Sequence, residues 1–306
     1  MPVLASGLDY LDLNFLGRPE IIATAVLHGT AGVALIDPGP STSIATLTSE
    51  LDRRGIRFAD VRQILLTHIH LDHAGSTGSI VEEFPHITIF VHQRGAPHLI
   101  DPSKLVASAG RLYAQDMDRL WGEIKPVRPA RIHALEGGET LEIVGREVNV
   151  EYTPGHASHH VTYFDRASRV AFVGDTAGIR RGSGAFVMPP TPPPDIDLEA
   201  WRESEHRILA WDPDTLFLTH FGPYHGARLH LQAMFENIAD WSLIVRRLLA
   251  DPASSDDERQ RRFIEEVFQE LRRRVGDLEA NDYIKAGGLS YSYQGLARYW
   301  KKKSVA

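Results

Sequence analysis

Apolar runs broken by glycine and proline open the chain. Residues 21–28 and 33–37 are β-branched and apolar and read as two strands, with Gly29 and Gly32 supplying the turn between them. Ser41 is placed to cap a helix whose stripe is Ile44, Leu47 and Leu51, ending near Gly55. Residues 61–67 form a buried strand that runs into a histidine-rich loop. A helix over 73–84 follows and stops before Pro85, and 87–92 is the next strand. Residues 96–122 interrupt this rhythm. Leu105, Ala109, Leu112, Met117 and Leu120 suit one long helix or a broken pair, an insertion between strands. Strands return at 131–135, 139–143, 147–152, 161–165 and 170–174. Residues 182–195, with five prolines from Pro189 to Pro194, read as an extended connector. A helix over 198–211 and a strand over 215–219 come next.

From Gly226 onward only helices are expected. Leu229, Phe235, Ile238, Trp241, Ile244, Val245 and Leu248 mark one long amphipathic helix, and Phe263, Val267, Phe268 and Leu271 another. Two blocks of strands with interleaved helices predict an α/β sandwich over residues 1–225, followed by an all-helical extension over 226–306. The apolar faces of that extension need a partner. They are expected to pack beside the catalytic mouth and to shape a lid with residues 96–122. Lys301, Lys302 and Lys303 read as a solvated tail.

Composition narrows the chemistry. The 306 residues contain no cysteine, so any metal site must be built from imidazole and carboxylate. Residues 241–306 hold 13 Lys/Arg against 10 Asp/Glu, whereas the first 240 hold 20 against 30. That acidic body is a poor general surface for nucleic acid. No apolar run approaches the length of a membrane span, and Asp9 and Asp12 break the layout of a signal peptide. A cytoplasmic location is expected, with no membrane partner; a homodimer is left open.

The densest chemistry is Thr67-His68-Ile69-His70-Leu71-Asp72-His73. In an extended segment His68 and His70 point to one side and can bind one ion together. Asp72 and His73, at the start of the next helix, can turn toward a second. Four ligand-type residues in six positions is a poor pattern for packing, since a core histidine is normally solitary.

This His-x-His-x-Asp-His pattern resembles the signature of the metallo-β-lactamase superfamily. Ile36-Asp37-Pro38-Gly39, Thr153-Pro154-Gly155-His156, Phe172-Val173-Gly174-Asp175 and Leu218-Thr219-His220-Phe221-Gly222 resemble the family's other motifs, in order. The resemblance implies an αββα sandwich holding two divalent ions, zinc first, with iron or manganese as alternatives. His68, His70 and His156 would bind the first ion, Asp72, His73 and His220 the second, and Asp175 would bridge them. A hydroxide shared by the ions would be the nucleophile, with Asp72 taking a proton. Asp37 is a candidate for orienting a ligand histidine, and His160 resembles a supporting histidine common in the superfamily. Tyr224 and His225, close after the last ligand, are candidates for reaching the substrate. His159 is expected at the surface, and His92 and His98 at most at the pocket edge.

The reaction is bounded by departures from known branches. Asp175 stands where true β-lactamases usually carry Cys or Ser. The intact His-x-His pair differs from diiron relatives, which replace the second histidine by glutamate. Gly178 stands where homoserine lactonases often carry a tyrosine. The helical tail is similar in layout to glyoxalase II. His92-Gln93-Arg94-Gly95-Ala96, Thr191-Pro192-Pro193-Pro194 and Gly295-Leu296-Ala297-Arg298-Tyr299 resemble a less characterised branch of hydrolases. The expectation is hydrolysis of a small ester, thioester or lactone. A phosphodiesterase or nuclease is the alternative, and a non-catalytic metal-binding protein a third reading. Arg94, Arg180, Arg181 and Arg228 are the main cations near the motifs, a thin supply for tracking a nucleic-acid strand.

Overall fold

Two hairpins and three crossovers build the first sheet. In the computed structural model, which describes residues 3–182, 184 and 186–304, β1 (Val3–Ala5), β2 (Leu8–Asp12), β3 (Ala23–Gly29) and β4 (Gly32–Ile36) pair antiparallel in sequence order. Then β5 (Val61–Leu65), β6 (Thr88–His92) and β7 (Ile132–Leu135) add in parallel. Parallel neighbours require crossover connections. These are α1 (Ile44–Asp52), then α2 (Leu71–Ala74) with α3 (Thr77–Glu83), then α4 (Ala96–Ile100), α5 (Ser103–Tyr113) and α6 (Met117–Leu120). The C-terminal ends of β4 and β5, which lead into Asp37 and the His68–His73 segment, therefore lie side by side at one edge.

The second sheet has the order β13-β12-β11-β10-β9-β8, built from β8 (Thr140–Ile143), β9 (Arg146–Tyr152), β10 (Val161–Asp165), β11 (Val170–Phe172), β12 (Thr215–Leu218) and β13 (Gly222–His225). Its one parallel pair, β11 with β12, is joined through α7 (Leu198–Ala210), capped by the Asp197 carboxylate on the Ala200 amide. That pairing sets the ends of β11 and β12 together, where Asp175 and His220 follow.

Strand alternation fixes the layers. Between the sheets, Ala25, Leu27, Ala34 and Ile36 face Val148, Val161, Tyr163, Phe172 and Phe217. On the far side of the first sheet Val26, Leu35, Ile64 and Ile89 pack against Leu47, Leu51, Ile80 and Leu99 of the helices. On the far side of the second, Phe164, Ala171, Leu216 and Leu218 meet Ile208 and Leu231. The fold is thus the αββα sandwich expected, with a helical extension of α8 (Ala227–Leu249), α9 (Asp256–Gly287), interrupted at Gly276, and α10 (Leu289–Lys303). The extension shares one core with the connector. Trp241, Phe263, Tyr283 and Tyr293 bury Phe186, Met188, Ile196 and Trp201. No described helix is long and apolar enough to cross a membrane.

Several local expectations need correction. The Ser41 hydroxyl does not cap α1; it bonds the carbonyls of Gly75 and Glu123 and ties the histidine loop to the insertion. The helix expected over 73–84 is two helices, α2 and α3, separated at Gly75 and Ser76. After Pro102 the insertion is the broken pair, α5 and α6 separated by a 3-10 turn over Ala114–Asp116, and the short α4 before Pro102 adds a third helix. β1, β2 and β13 were not foreseen as strands. Lys301, Lys302 and Lys303 close α10 and are exposed, as expected, with Lys301 pairing with Asp256 at 3.3 Å and Lys303 with Glu199 of α7 at the surface.

Candidate metal centre

Four imidazoles of the expected set, those of His68, His73, His156 and His220, have the outer nitrogen engaged, which turns the other inward. The Nδ1–H of His73 donates to Asp37 Oδ2 at 2.8 Å, that of His156 to Pro190 O at 2.8 Å, and that of His220 to Ile21 O at 2.7 Å. His68 Nδ1 lies 3.1 Å from Thr67 Oγ1, whose own proton goes to Asp37 Oδ2 at 2.7 Å, so His68 is again the donor. The Nε2 lone pairs of all four histidines are left facing the interior. His70 presents Nδ1 instead, 3.0 Å from both His68 Nε2 and His156 Nε2.

Two ligand groups result. His68, His70, His156 and Asp175 bring donor atoms within 4.8 Å of one another, and so do Asp72, His73 and His220. Asp175 stands between them: Oδ2 is 3.3 Å from His156 Nε2, and Oδ1 is 3.3 Å from His73 Nε2 and 3.5 Å from His220 Nε2. Asp72 Oδ2 is 3.3 Å from His220 Nε2. A tetrahedral ion with ligands at about 2.0–2.1 Å spaces its donor atoms by roughly 3.3 Å, close to these separations.

The donor set also asks for positive charge. His73 Nε2 and Asp175 Oδ1 are fully buried without a hydrogen-bond partner, a costly arrangement unless something else satisfies them. Three inward nitrogens within 3.0 Å contacts cannot all be satisfied by protons without charging neighbouring imidazoles. Burial, reinforced by the surrounding histidines, holds His68 well below its ordinary pKa and His70 at about 4; burial also lowers His156. These three are neutral donors. Burial disfavours charge on Asp72 as well, but His73 and His220 outweigh it and hold the carboxyl at about 2. The same balance keeps Asp175 far below the usual range. Around His73 the carboxylates of Asp72, Asp175 and Asp37 overcome burial and raise its pKa well above normal, and His220 is raised similarly. Where two imidazoles are drawn toward protonation by carboxylates, a divalent cation satisfies the same field. The residues present therefore fit a metal pair.

Asp37 is the organising residue behind the ligands. It is fully buried at a left-handed φ of 52°. Its carboxylate accepts from the Thr67 amide, the Thr67 and Thr219 hydroxyls, and His73. Thr67 and Thr219 were missed by sequence reasoning, although Leu-Thr-His occurs twice, at 66–68 and 218–220. His160, also buried, stacks on His68 at 5.0 Å and contacts the hydroxyls of Thr153 and Thr176.

Other candidates fall elsewhere. Tyr224 packs under the Arg180 guanidinium, 3.6 Å from its ring centre, and against His230 at 4.9 Å. His225 is exposed and bonds Thr215. Neither joins the ligand groups. His92 is buried and stacked on Tyr152 at 4.4 Å. His159 is the reverse of the surface residue expected. Its ring lies parallel to His68 at 6.1 Å and edge-on to His70 at 5.6 Å, with Nδ1 buried and unpartnered.

Sandwich and paired ligand groups together define a metallo-hydrolase architecture. Residues 17–220 match the family model of the metallo-beta-lactamase superfamily, and the chain belongs to that family as a metallo-hydrolase. It is 30% identical over 220 residues to the metallo-beta-lactamase fold-containing protein ST1585 of Sulfurisphaera tokodaii, covering 71% of this chain and 78% of that one. It is 25% identical to the probable metallo-hydrolase YqjP of Bacillus subtilis over 94% of both chains. A hydroxyacylglutathione hydrolase of Synechococcus is 29% identical over 49% of this chain, which spans about half that relative's length (47%). Among solved structures, the metallo-beta-lactamase family protein TTHA1429 of Thermus thermophilus shares the fold with a TM-score of 0.70, at 22% identity, over 99% of this chain and 95% of that one.

Proposed function

We propose that the chain holds two divalent ions, zinc first with iron or manganese as alternatives, and hydrolyses a small ester, thioester or lactone. The observation that carries this reading is the carboxylate of Asp175, one oxygen facing each ligand group. A metal pair at such a site supplies Lewis acidity and makes water acidic enough to attack near neutral pH. His68, His70 and His156 would hold one ion and Asp72, His73 and His220 the other.

The side chains divide the remaining work. Asp175, only 6% exposed, keeps the two positions together, whereas Asp72 is 26% exposed and is the ligand carboxylate that incoming water and substrate meet. Ionised, it can receive the proton that the attacking water gives up at its carboxylate oxygen. Asp37, through Thr67, His73 and Thr219, fixes the imidazoles so that this exchange does not move them.

Carbonyl chemistry is favoured over phosphodiester chemistry by what surrounds the centre. Arg180 is engaged with Tyr224 and His230, and Arg94 lies over Tyr152. Among the described residues, Arg181 Nε and Nη1 are buried without a hydrogen-bond partner, so they offer no exposed charge along which a nucleic-acid strand could track. The relatives named hydroxyacylglutathione hydrolase support thioesters as the first class to try. The test is side-by-side turnover of matched esters, thioesters, lactones and phosphodiesters by one metal-loaded preparation at low salt. Faster cleavage of an acyl substrate is expected. Phosphodiester or RNA cleavage far exceeding every acyl substrate would overturn the reading.

A further inference from the structure

The ligand groups open at one rim. His68, His73, His156, Asp175 and His220 are buried, whereas His70 and Asp72 are partly exposed. The approach to the centre therefore runs past these two. Leu71, between them in sequence, is buried in one cluster with Ala109 and Trp121 of the insertion. The insertion is in turn bonded to the helical extension, the Leu112 carbonyl accepting from the Tyr291 hydroxyl of α10 at 3.1 Å, as a lid requires.

Beside His70 stands His159, which neither ligand group uses. Its ring lies edge-on to His70, with centroids 5.6 Å apart, and parallel to His68 at 6.1 Å. The chain on both sides of it is tied down. The Ser158 carbonyl accepts from the Tyr152 hydroxyl at 2.9 Å, and the Ser158 hydroxyl donates to Asp195 Oδ2 at 2.6 Å. The His160 carbonyl accepts from the Thr153 amide at 3.0 Å, and its ring contacts the Thr153 and Thr176 hydroxyls. His159 is thus held next to an exposed ligand before anything binds, the kind of preorganisation a binding site needs.

The two nitrogens of this ring differ. Nδ1 is buried without a partner. Nε2 also has no partner among the described residues, but it is not a buried atom, and the residue keeps partial exposure. Orphaned buried N–H groups are rarer in proteins than under-satisfied acceptors, so the bare nitrogen is Nδ1 and the proton sits on Nε2. One N–H therefore stands at the rim with no group of the protein to receive it. Its match is an oxygen of the molecule that enters.

We propose that His159 contacts the substrate, donating its Nε2–H to the acyl carbonyl oxygen of a molecule seated at the His68–His70–His156 group. This rests on the acyl-hydrolase reading and deepens it. As water adds to the carbonyl carbon its proton passes to Asp72, and the π pair moves onto the oxygen that Nε2–H holds. That pair returns as the bond to the alcohol or thiol oxygen or sulfur breaks, and the leaving group takes the proton. A donor aimed where charge develops lowers the barrier.

The test uses zinc-loaded protein and two probes measured by calorimetry. Acetohydroxamate offers a carbonyl oxygen; ethanethiol offers only sulfur, a weak acceptor. His159→Phe keeps a ring beside His70 and removes the donor, and His159→Gln keeps an N–H. His159→Phe should weaken acetohydroxamate about tenfold, leave ethanethiol affinity, zinc content and Tm unchanged, and lower kcat for an acetyl thioester about a hundredfold. His159→Gln should bring acetohydroxamate affinity back to within about threefold of wild type. Equal weakening of both probes in His159→Phe, or loss of zinc, would overturn the proposal, since His159 would then act through His68 and His70. So would acetohydroxamate affinity within about twofold of wild type. A crystal structure of the wild-type acetohydroxamate complex decides independently of the variants: Nε2 is expected about 3.0 Å from the carbonyl oxygen, and a separation beyond hydrogen-bond reach would overturn the contact. If acetohydroxamate binds through His159 and no ester or thioester is turned over, the contact stands and the acyl reading falls.

Discussion

Asp37 and His73 meet at 2.8 Å, both fully buried, and that contact sets which nitrogen of His73 faces the centre. The same carboxylate accepts from Thr67 and Thr219, the residues preceding His68 and His220. One side chain thereby registers β4, β5 and β12 against each other at the ligand end. A left-handed backbone at a non-glycine residue costs of order 1–3 kcal/mol and persists only where the surroundings over-determine it. Asp37→Asn puts an NH2 group among donors. We expect metal affinity at the Asp72–His73–His220 group to fall about 10–100-fold, with a smaller effect at the other. Chelator competition measures it; unchanged affinity at both positions would contradict the organising role.

Asp175 faces both groups, so its removal should be felt by both. Asp175→Asn is expected to leave the sandwich folded, since the side chain lies at the strand end and not in the layers between the sheets. It should also lower the bound metal below two per chain and hydrolytic activity by at least about a hundredfold. Circular dichroism, elemental analysis and turnover check the three parts. Full activity with full metal content would mean that Asp175 does not bridge.

Much of the centre was legible in the sequence because it is chemically local. His68, His70, Asp72 and His73 lie within six positions, and Asp175 and His220 closely follow the apolar strands β11 and β12. What was not legible depends on tertiary contact. β13 begins Gly222-Pro223, which reads as a turn until β12 is there to pair with it. β1 and β2 carry a period-2 pattern too short, and too interrupted by Asp9 and Asp12, to stand out. His159 looked like a surface residue beside His160, but the Gly155–His160 loop folds its ring against His68 and His70. Ser41 has the chemistry of a cap, and only the proximity of Gly75 and Glu123 shows its hydroxyl bonding across the helices instead.

Gly155 is where that loop depends on a missing side chain. Its φ is 137°, and a Cβ there would come within 2.4 Å of the Trp201 Cα, a backbone atom of α7 that cannot swing aside. Trp201 in turn donates from Nε1 to Thr176 O at 2.8 Å and lies edge-on to His156. Gly155→Ala should destabilise the fold by about 1–3 kcal/mol and weaken metal binding through His156. Urea denaturation with and without metal measures both, and a variant as stable as wild type would contradict the packing account.

His230 gives the fold a pH dependence separate from the metals. Burial holds it at about 4, with Arg180 adding to the shift and the bond to Ala177 O opposing it. Its pKa in the unfolded chain is about 6.5. Between these values the unfolded state binds the extra proton, so stability is full above about pH 6.5 and falls as pH drops toward 4. The loss approaches about 3 kcal/mol at pH 4. Denaturant midpoints measured from pH 7.5 to 4.5 at fixed metal concentration should fall more steeply for wild type than for His230→Gln. Parallel curves would show that His230 is not held neutral.

The central claim is that seven side chains form two metal positions sharing Asp175. Anomalous diffraction at the zinc edge from crystals of zinc-loaded protein tests it most directly. Two peaks are expected, about 3.5–4 Å apart, one among His68, His70 and His156, the other among Asp72, His73 and His220, with Asp175 between them. A fully loaded protein showing one peak, or none within reach of Asp175, would contradict it.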